Sequence, residues 1–274
     1  MIYLSADDYG LCREASEHIM ECGTLNKISA FVNFDSLEGD SFLQKADAAL
    51  HINLVEGHAV SDPKEIPLLA DDNGYFRHTF TGLFLLSLLQ RRELEVQVQK
   101  EIRAQLEVWK RIWGEKRPLL LDSHQHTHMI PAIFRALMKE LCGEDVKYLR
   151  IPAEPVSPYL MEPSLYHTYS IKNLIKQWLL KLLWQIDKKE YRKRKLPTAY
   201  FFGILFSGEM DLGRVEKVLP HYIRLAEKRG KDVEVLFHPG YIGKDISARG
   251  IAFESFYSSP KRKVEFETAR NLKI

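Results

Sequence analysis

Short apolar runs rich in β-branched and aromatic residues alternate along the chain with stretches whose apolar residues recur at helical spacing, which confines the fold to a mostly parallel sheet or a (β/α) barrel. Strand-like runs cover residues 1–6, 28–34, 50–55, 119–121, 146–151, 200–206 and 233–237. Helical spacing covers residues 14–22, 42–50, 79–113, 133–141, 171–186 and 212–228. In the longest of these, Leu83, Leu86, Leu89, Val98, Ile102, Leu106 and Trp109 mark one face. Residues 57–75 are rich in Pro, Asp and Gly and read as loop, and the prolines recurring through 152–163 exclude a regular element there. The chain has 274 residues with no repeat and no linker composition, so a single domain around one large core is expected.

Residues able to do chemistry gather at the ends of the strand-like runs. Asp7-Asp8-Tyr9-Gly10 closes the first, His51 sits in the third, Asp122-Ser123-His124-Gln125-His126-Thr127-His128 follows the fourth, Arg150 ends the fifth, and His238-Pro239-Gly240-Tyr241 follows the last. In a parallel barrel the C-terminal strand ends share one rim, so residues distant in sequence converge there. Imidazole is the commonest metal ligand, and a cluster of three histidines directly after an apolar run points to a site rather than to solvation. Neighbouring side chains of an extended segment point opposite ways, so Asp7 and Asp8 are expected to divide their roles, one binding a cation and the other holding a proton or a water. One carboxylate with His51 and His124, drawn from separate strands, makes a facial three-ligand set with positions open for water and substrate, as a catalytic divalent ion requires.

Taken together, Ala6-Asp7-Asp8-Tyr9-Gly10-Leu11, Ser29-Ala30-Phe31-Val32-Asn33, Leu50-His51-Ile52-Asn53-Leu54-Val55-Glu56-Gly57, Asp122 to Pro131, Leu149-Arg150 and Phe237-His238-Pro239-Gly240-Tyr241 resemble, in order and rough spacing, the YdjC-like carbohydrate deacetylases, which include chitooligosaccharide deacetylases. The resemblance implies a distorted (β/α) barrel similar to polysaccharide deacetylases. It also implies one domain over residues 1–274, with a helical insertion around residues 160–196. The implied reaction is metal-dependent removal of the acetyl group from an N-acetylated sugar of the N-acetylglucosamine type, by attack of metal-bound water. Matched position by position, Asp8, His51 and His124 are the implied ligands of one divalent ion, zinc or magnesium, with manganese or cobalt as alternatives. Asp7 is the implied catalytic base, and His238 the implied acid or oxyanion stabiliser. Arg150 would orient Asp7 and keep it ionised through a charge-assisted hydrogen bond. Asn33, Asn53, His126, His128 and Tyr241 are the candidate substrate contacts.

A formal net charge of +2 leaves no electrostatic footprint for nucleic acid. Cys12, Cys22 and Cys142 are odd in number and irregularly spaced, which suggests neither a disulfide framework nor a thiolate zinc site. No apolar stretch approaches the ~20 residues of a membrane span, and the N-terminus carries no basic, cleavable leader. A cytoplasmic protein without stable membrane insertion is therefore expected. The basic run 188–195 reads as a solvated helix end favoured by the helix dipole, with contact to an anionic surface or partner as the alternative. The apolar face around Trp178 and Trp184 offers an interface, a homodimer among the options. Two competing readings are a metal hydrolase of the amidohydrolase or PHP phosphoesterase type, which usually carries His-x-His on the first strand, and a non-catalytic carbohydrate-binding barrel, which needs no base.

Overall fold

Seven strands pair only in parallel: β1 (Ile2–Tyr9), β2 (Lys27–Ala30), β3 (Asp47–Ile52), β4 (Leu119–Ser123), β5 (Val146–Leu149), β6 (Tyr200–Phe202) and β7 (Val233–Phe237). They lie in the order β5-β4-β3-β2-β1-β7-β6 in this computed structural model, which describes residues 1–35, 37–114, 117–243 and 254–273. The sheet curls into the expected distorted (β/α) barrel, with helices outside. Between β5 and β6 the chain closes it by other means: the Leu149 N–H donates to the Pro197 carbonyl at 2.9 Å, and buried Glu154 accepts from the backbone N–H groups of Gly203, Ile204 and Leu205.

Most strand residues are buried on both faces, and the period of two sorts them. Outward positions such as Leu4, Ala6, Ile28, Ala30, Leu50, Ile52, Leu121, Val233, Val235 and Phe237 join the helices in the apolar core. The other parity turns into the barrel. Tyr3, Ala49, Leu120 and Tyr148, with Ala199, close the interior on its N-terminal side. Above them come polar and charged residues: Ser5, Asp7, Lys27, Ser29, His51, Asp122 and Glu234, all buried. This inner parity positions the site.

Several elements differ from the sequence expectation. Residues 47–50 are strand, not helix, because Asp47 to Leu50 pair in register with Lys27 to Ala30, which overrides the helical preference of the alanines. The long helical stretch is two helices, Phe80–Leu89 and Arg91–Trp113, broken at Gln90 (φ −130°). Gln97, Glu101 and Gln105 of the second are buried four residues apart and accept from the backbone N–H groups of Leu68, Val60, Ser61 and Asn53, pinning the loop that precedes it. A single turn (Ser157–Leu160) and a 3-10 segment (Pro163–Thr168) occupy the proline-rich stretch. The next helix, Ile171–Arg194, does not stop at residue 186 but absorbs most of the basic run. Two further helices, Glu254–Tyr257 and Pro260–Asn271, follow β7, beyond the last stretch of helical spacing in the sequence. No described helix is long and apolar enough to cross a membrane, and all three cysteines are free.

Candidate metal centre and active site

At the rim, β1 does not end before the aspartates but carries both. Its register with β2 shifts between Ala6 and Tyr9, and Asp8 has φ 70°, in the left-handed region that aspartate tolerates better than most residues. The bulge defeats the strict alternation expected of Asp7 and Asp8 and turns both carboxylates to the same side. The Nε2 of His51 lies 4.0 Å from Asp7 Oδ2 and 3.7 Å from Asp8 Oδ1. Gly10, at φ 82°, then turns the chain under the Phe31 carbonyl, which a Cβ would meet at 3.3 Å.

Three candidate ligands converge above this bulge. His51, on β3, gives its Nδ1 to Asp122 Oδ1 at 2.6 Å, which aims Nε2 at Asp8. His124, the first residue after β4, places Nδ1 3.1 Å from Asp8 Oδ1 and Nε2 3.0 Å from Glu56 Oε2. The offered atoms of Asp8, His51 and His124 all lie within 4.8 Å of one another. Two of them, Asp8 Oδ1 and His51 Nε2, are buried without a hydrogen-bond partner. Leaving such atoms unpaired costs about 1–3 kcal/mol each, a cost that a shared cation would remove.

The surrounding charge favours a cation too. Buried Lys27, Arg150 and Arg262 face a larger set of buried carboxyl groups: Asp7, Asp8, Glu56, Asp122, Glu234 and Glu265. Burial disfavours charge on His124, yet the Asp8 and Glu56 carboxylates overcome it and push the imidazole up to about 10. Burial likewise opposes the Asp8 charge, but the Arg262 guanidinium and the neighbouring His124 hold its carboxyl well below the usual carboxylate range. Each candidate ligand histidine has a carboxylate on its far nitrogen, the arrangement that fixes tautomer and ring orientation at metal sites. A second grouping, Asp7, His51 and Asp122, is equally compact, but Arg150, Lys27, Ser29 and His51 already take its carboxylate oxygens.

Beneath the centre lies a buried ion network. Arg150, immediately after β5, forks onto Asp7 with Nη1 to Oδ2 at 2.7 Å and Nη2 to Oδ1 at 2.9 Å. It also reaches Glu234 at 2.7 Å and Asp122 at 3.1 Å. Lys27 Nζ bridges Asp122 and Glu234 at 2.9 and 3.0 Å. Against burial, Arg150 and Lys27 draw the Glu234 carboxyl down to about 2. Breaking a buried pair of this kind by removing one partner typically costs about 3–5 kcal/mol, so the network holds the Asp7 plane rigidly.

The C-terminal helices supply a third layer that the sequence motifs did not identify. Arg262 donates to Asp8 Oδ2 at 2.6 Å and to the Gly240 carbonyl at 2.8 Å, while Phe256 and Tyr257 each lie 4.4 Å from its guanidinium. Asp8 is thereby left with one oxygen, Oδ1, to offer an ion. The Tyr257 hydroxyl donates to Glu56 at 2.7 Å beside the His124 ring, and Glu265 accepts from the His238 backbone N–H at 2.6 Å and faces its Nδ1 at 3.2 Å. Losing a partner of a metal ligand commonly costs about 10–100-fold in affinity, so Arg262→Leu should weaken metal binding by that factor and Arg262→Lys should recover part of it. Competition against a chromogenic chelator measures this directly, and an unchanged affinity in Arg262→Leu would remove the residue from the centre.

Of the candidate substrate contacts, Asn53 and His128 are used up inside the protein. Asn53 accepts from the Val55 and Glu56 N–H groups and donates to the Glu56 carbonyl, so it builds the turn that aims Glu56. The ring nitrogens of His128 contact the Ser123 hydroxyl at 2.6 Å and the Arg150 carbonyl at 2.9 Å, tying the histidine turn to the end of β5. Tyr241 stacks on His18 at 3.7 Å and meets Phe266 edge-on, between two helices. Asn33 donates to the His58 carbonyl, but its Oδ1 is buried and unpartnered. The same holds for His126 Nδ1; that residue sits at φ 58° in a tight turn, not in an extended run, and burial with the Lys176 and Arg150 charges holds its imidazole well below the normal range. His238 is half-buried and follows β7.

Comparison with known proteins identifies the family of the chain. The family model described as YdjC-like protein matches residues 1–272. The chain belongs to the YdjC-like family. Among curated relatives, the carbohydrate deacetylase of Danio rerio is 29% identical over 161 residues, covering 56% of this chain and 50% of that protein. The carbohydrate deacetylase of Homo sapiens is 27% identical, covering 56% and 49%, and the chitooligosaccharide deacetylase of Proteus mirabilis is 29% identical over 142 residues, covering 49% and 52%. The matches thus span about half the length of the curated relatives. A crystal structure from Enterococcus faecalis V583, described as a candidate cellobiose-phosphate cleavage protein, covers 98% of this chain and 94% of its own with TM-score 0.59 and 14% identity, a likeness of fold alone. In this YdjC-like chain the candidate ligands come from β1, β3 and the turn after β4, and Arg262 near the C-terminus braces Asp8.

Proposed function

We propose that the chain is a metal-dependent carbohydrate N-deacetylase acting on an N-acetylglucosamine-type mono- or oligosaccharide. The observation that carries this reading is the pair of buried, unpartnered atoms, Asp8 Oδ1 and His51 Nε2, beside a carboxylate, Asp7, that Arg150 holds in a fork. The named activities of the relatives, carbohydrate and chitooligosaccharide deacetylase, support it.

An amide carbonyl is a poor electrophile, and a divalent ion held by Asp8, His51 and His124 would supply the Lewis acidity that polarises it and lowers the pKa of an attacking water toward ~7. The remaining work falls to this chain's side chains. Asp7 accepts the proton of the attacking water, and the Arg150 fork holds its carboxylate in plane for that transfer. Asp122 and Glu56 hold the two imidazoles in orientation. As the C–O bond forms and the C–N bond breaks, the amine needs a proton. His238 supplies it from Nε2, with Nδ1–H resting on Glu265, so acetate and a protonated amino sugar leave. Each proton transfer of this kind is worth about 10²–10⁴ in rate. Among the candidate substrate contacts, Asn33 Oδ1 and His126 Nδ1 are buried polar atoms with capacity left for sugar hydroxyls.

A His₂Asp set suits zinc, and magnesium, manganese or cobalt can fill the same ligands where water completes the shell. The test is acetate release from N-acetylglucosamine, its phosphate and chitobiose under each of these metals, with simple phosphoesters in parallel. Acetate release from at least one acetylated sugar is expected. Phosphate release without acetate would transfer the chain to the phosphoesterase reading.

A further inference from the structure

The helix Ile171–Arg194 carries two apolar faces. One packs inward through Leu180 and Leu183. The other faces solvent: Ile171 is 76% exposed, Ile175 65%, Trp178 75%, Leu182 57% and Ile186 51%. Their spacing of four, three, four and four residues lines them up along one stripe. Leu174, Ile175, Trp178, Leu179 and Leu182 enclose a shallow depression of about 350 Å³ on it. The same spacing continues into Lys189 and Lys193, both exposed, so the stripe is apolar for four turns and then basic.

Charge decides what covers this stripe. Residues 171–195 hold nine lysines and arginines against two acids, Asp187 and Glu190, whereas the whole chain nets only +2. Asp187 is buried, and Glu190 is paired with Lys193. A second copy docked in parallel would set one basic end on the other. Docked antiparallel, Lys189 and Lys193 would meet residues 167–172 of the other copy, which contain Lys172 and no acid. Neither arrangement neutralises the helix. An outward face with Trp, Ile and Leu in the middle and Lys and Arg at its end matches the chemistry of an anionic bilayer surface, where the apolar side chains enter the acyl boundary and the cations meet lipid phosphates.

We propose that the exposed face of Ile171–Arg194 docks the protein peripherally on anionic lipid. The helix also packs against the histidine turn, His124–Met129, and its Gln177 holds Glu154, so docking would set the candidate active site beside the membrane surface.

The test is sedimentation of the whole chain with phosphatidylglycerol-rich vesicles and with pure phosphatidylcholine vesicles, at low and high salt. Partition onto the anionic vesicles should exceed that onto phosphatidylcholine at least about tenfold and fall steeply with salt. The triple variant Ile175→Ser/Trp178→Ser/Leu182→Ser should drop to the phosphatidylcholine level with its thermal midpoint unchanged, because these side chains are exposed. Tryptophan emission should shift to the blue on binding in wild type and not in Trp178→Phe. Absence of vesicle binding overturns the proposal. So does a dimer in sedimentation velocity that the triple variant abolishes, which would make a second copy the occupant. Vesicle binding that survives intact in the triple variant overturns it as well, since the basic run alone would then suffice.

Discussion

His124→Ala is expected to abolish stoichiometric binding of a divalent metal and to lower kcat/KM for acetate release by more than about 10³-fold, because several kcal/mol of transition-state stabilisation depend on the ion. The imidazole stands between Asp8 and Glu56, 3.1 and 3.0 Å away, and the other two histidines of the turn are engaged elsewhere: His126 turns toward Phe201 and His128 is bound to Ser123 and Arg150. The variant should still fold. Its cost is one partner of a buried ion pair, in the range of about 3–5 kcal/mol, in a barrel whose core lies mostly elsewhere. Metal content of the purified variant and its far-ultraviolet circular dichroism separate a lost ligand from a lost fold. Wild-type activity in a folded His124→Ala protein would overturn the assignment.

Asp7→Asn makes the complementary claim. The metal should remain bound while turnover drops by about 10²–10⁴-fold, the usual worth of a general base. The amide retains one oxygen to accept from Arg150 and loses the other arm of the fork, and it can no longer accept the water's proton. A variant that loses the metal would show that Asp7 and Asp8 exchange roles. That outcome has a structural basis, because the β1 bulge brings both carboxylates to within 4.0 Å of His51. Equal sugar binding without acetate release in either protein would instead identify a binding barrel.

The sequence made the barrel readable because its strands are short, apolar and separated by helices. It also exposed the ligand candidates, since histidines and aspartates at strand ends are conspicuous against apolar runs. Residues supporting them were less visible. Asp122 stands directly before the histidines with nothing in its spacing to assign it to His51, and Lys27 and Glu234 lie inside apolar strands, where a charge flanked by Ile28 or by Val233 and Val235 is itself a signal of an inward, paired position. Glu56 is aimed by the turn that Asn53 caps, a local geometry with no periodicity to betray it. Arg262, Tyr257 and Glu265 come from helices after the last recognisable motif, and only the packing of the C-terminus against β7 and the rim brings them to Asp8, Glu56 and His238. The bulge at Asp8 was hidden for a different reason: a positive φ at a non-glycine residue leaves no compositional trace.

The central claim is that acetate release depends on one divalent ion held by Asp8, His51 and His124. The most direct measurement is acetate release from an N-acetylated sugar by the chelator-stripped protein during stepwise return of metal. The account predicts no activity in the stripped protein and a linear rise that saturates at one ion per chain. Full activity without metal, or saturation that persists unchanged in His124→Ala, would contradict it.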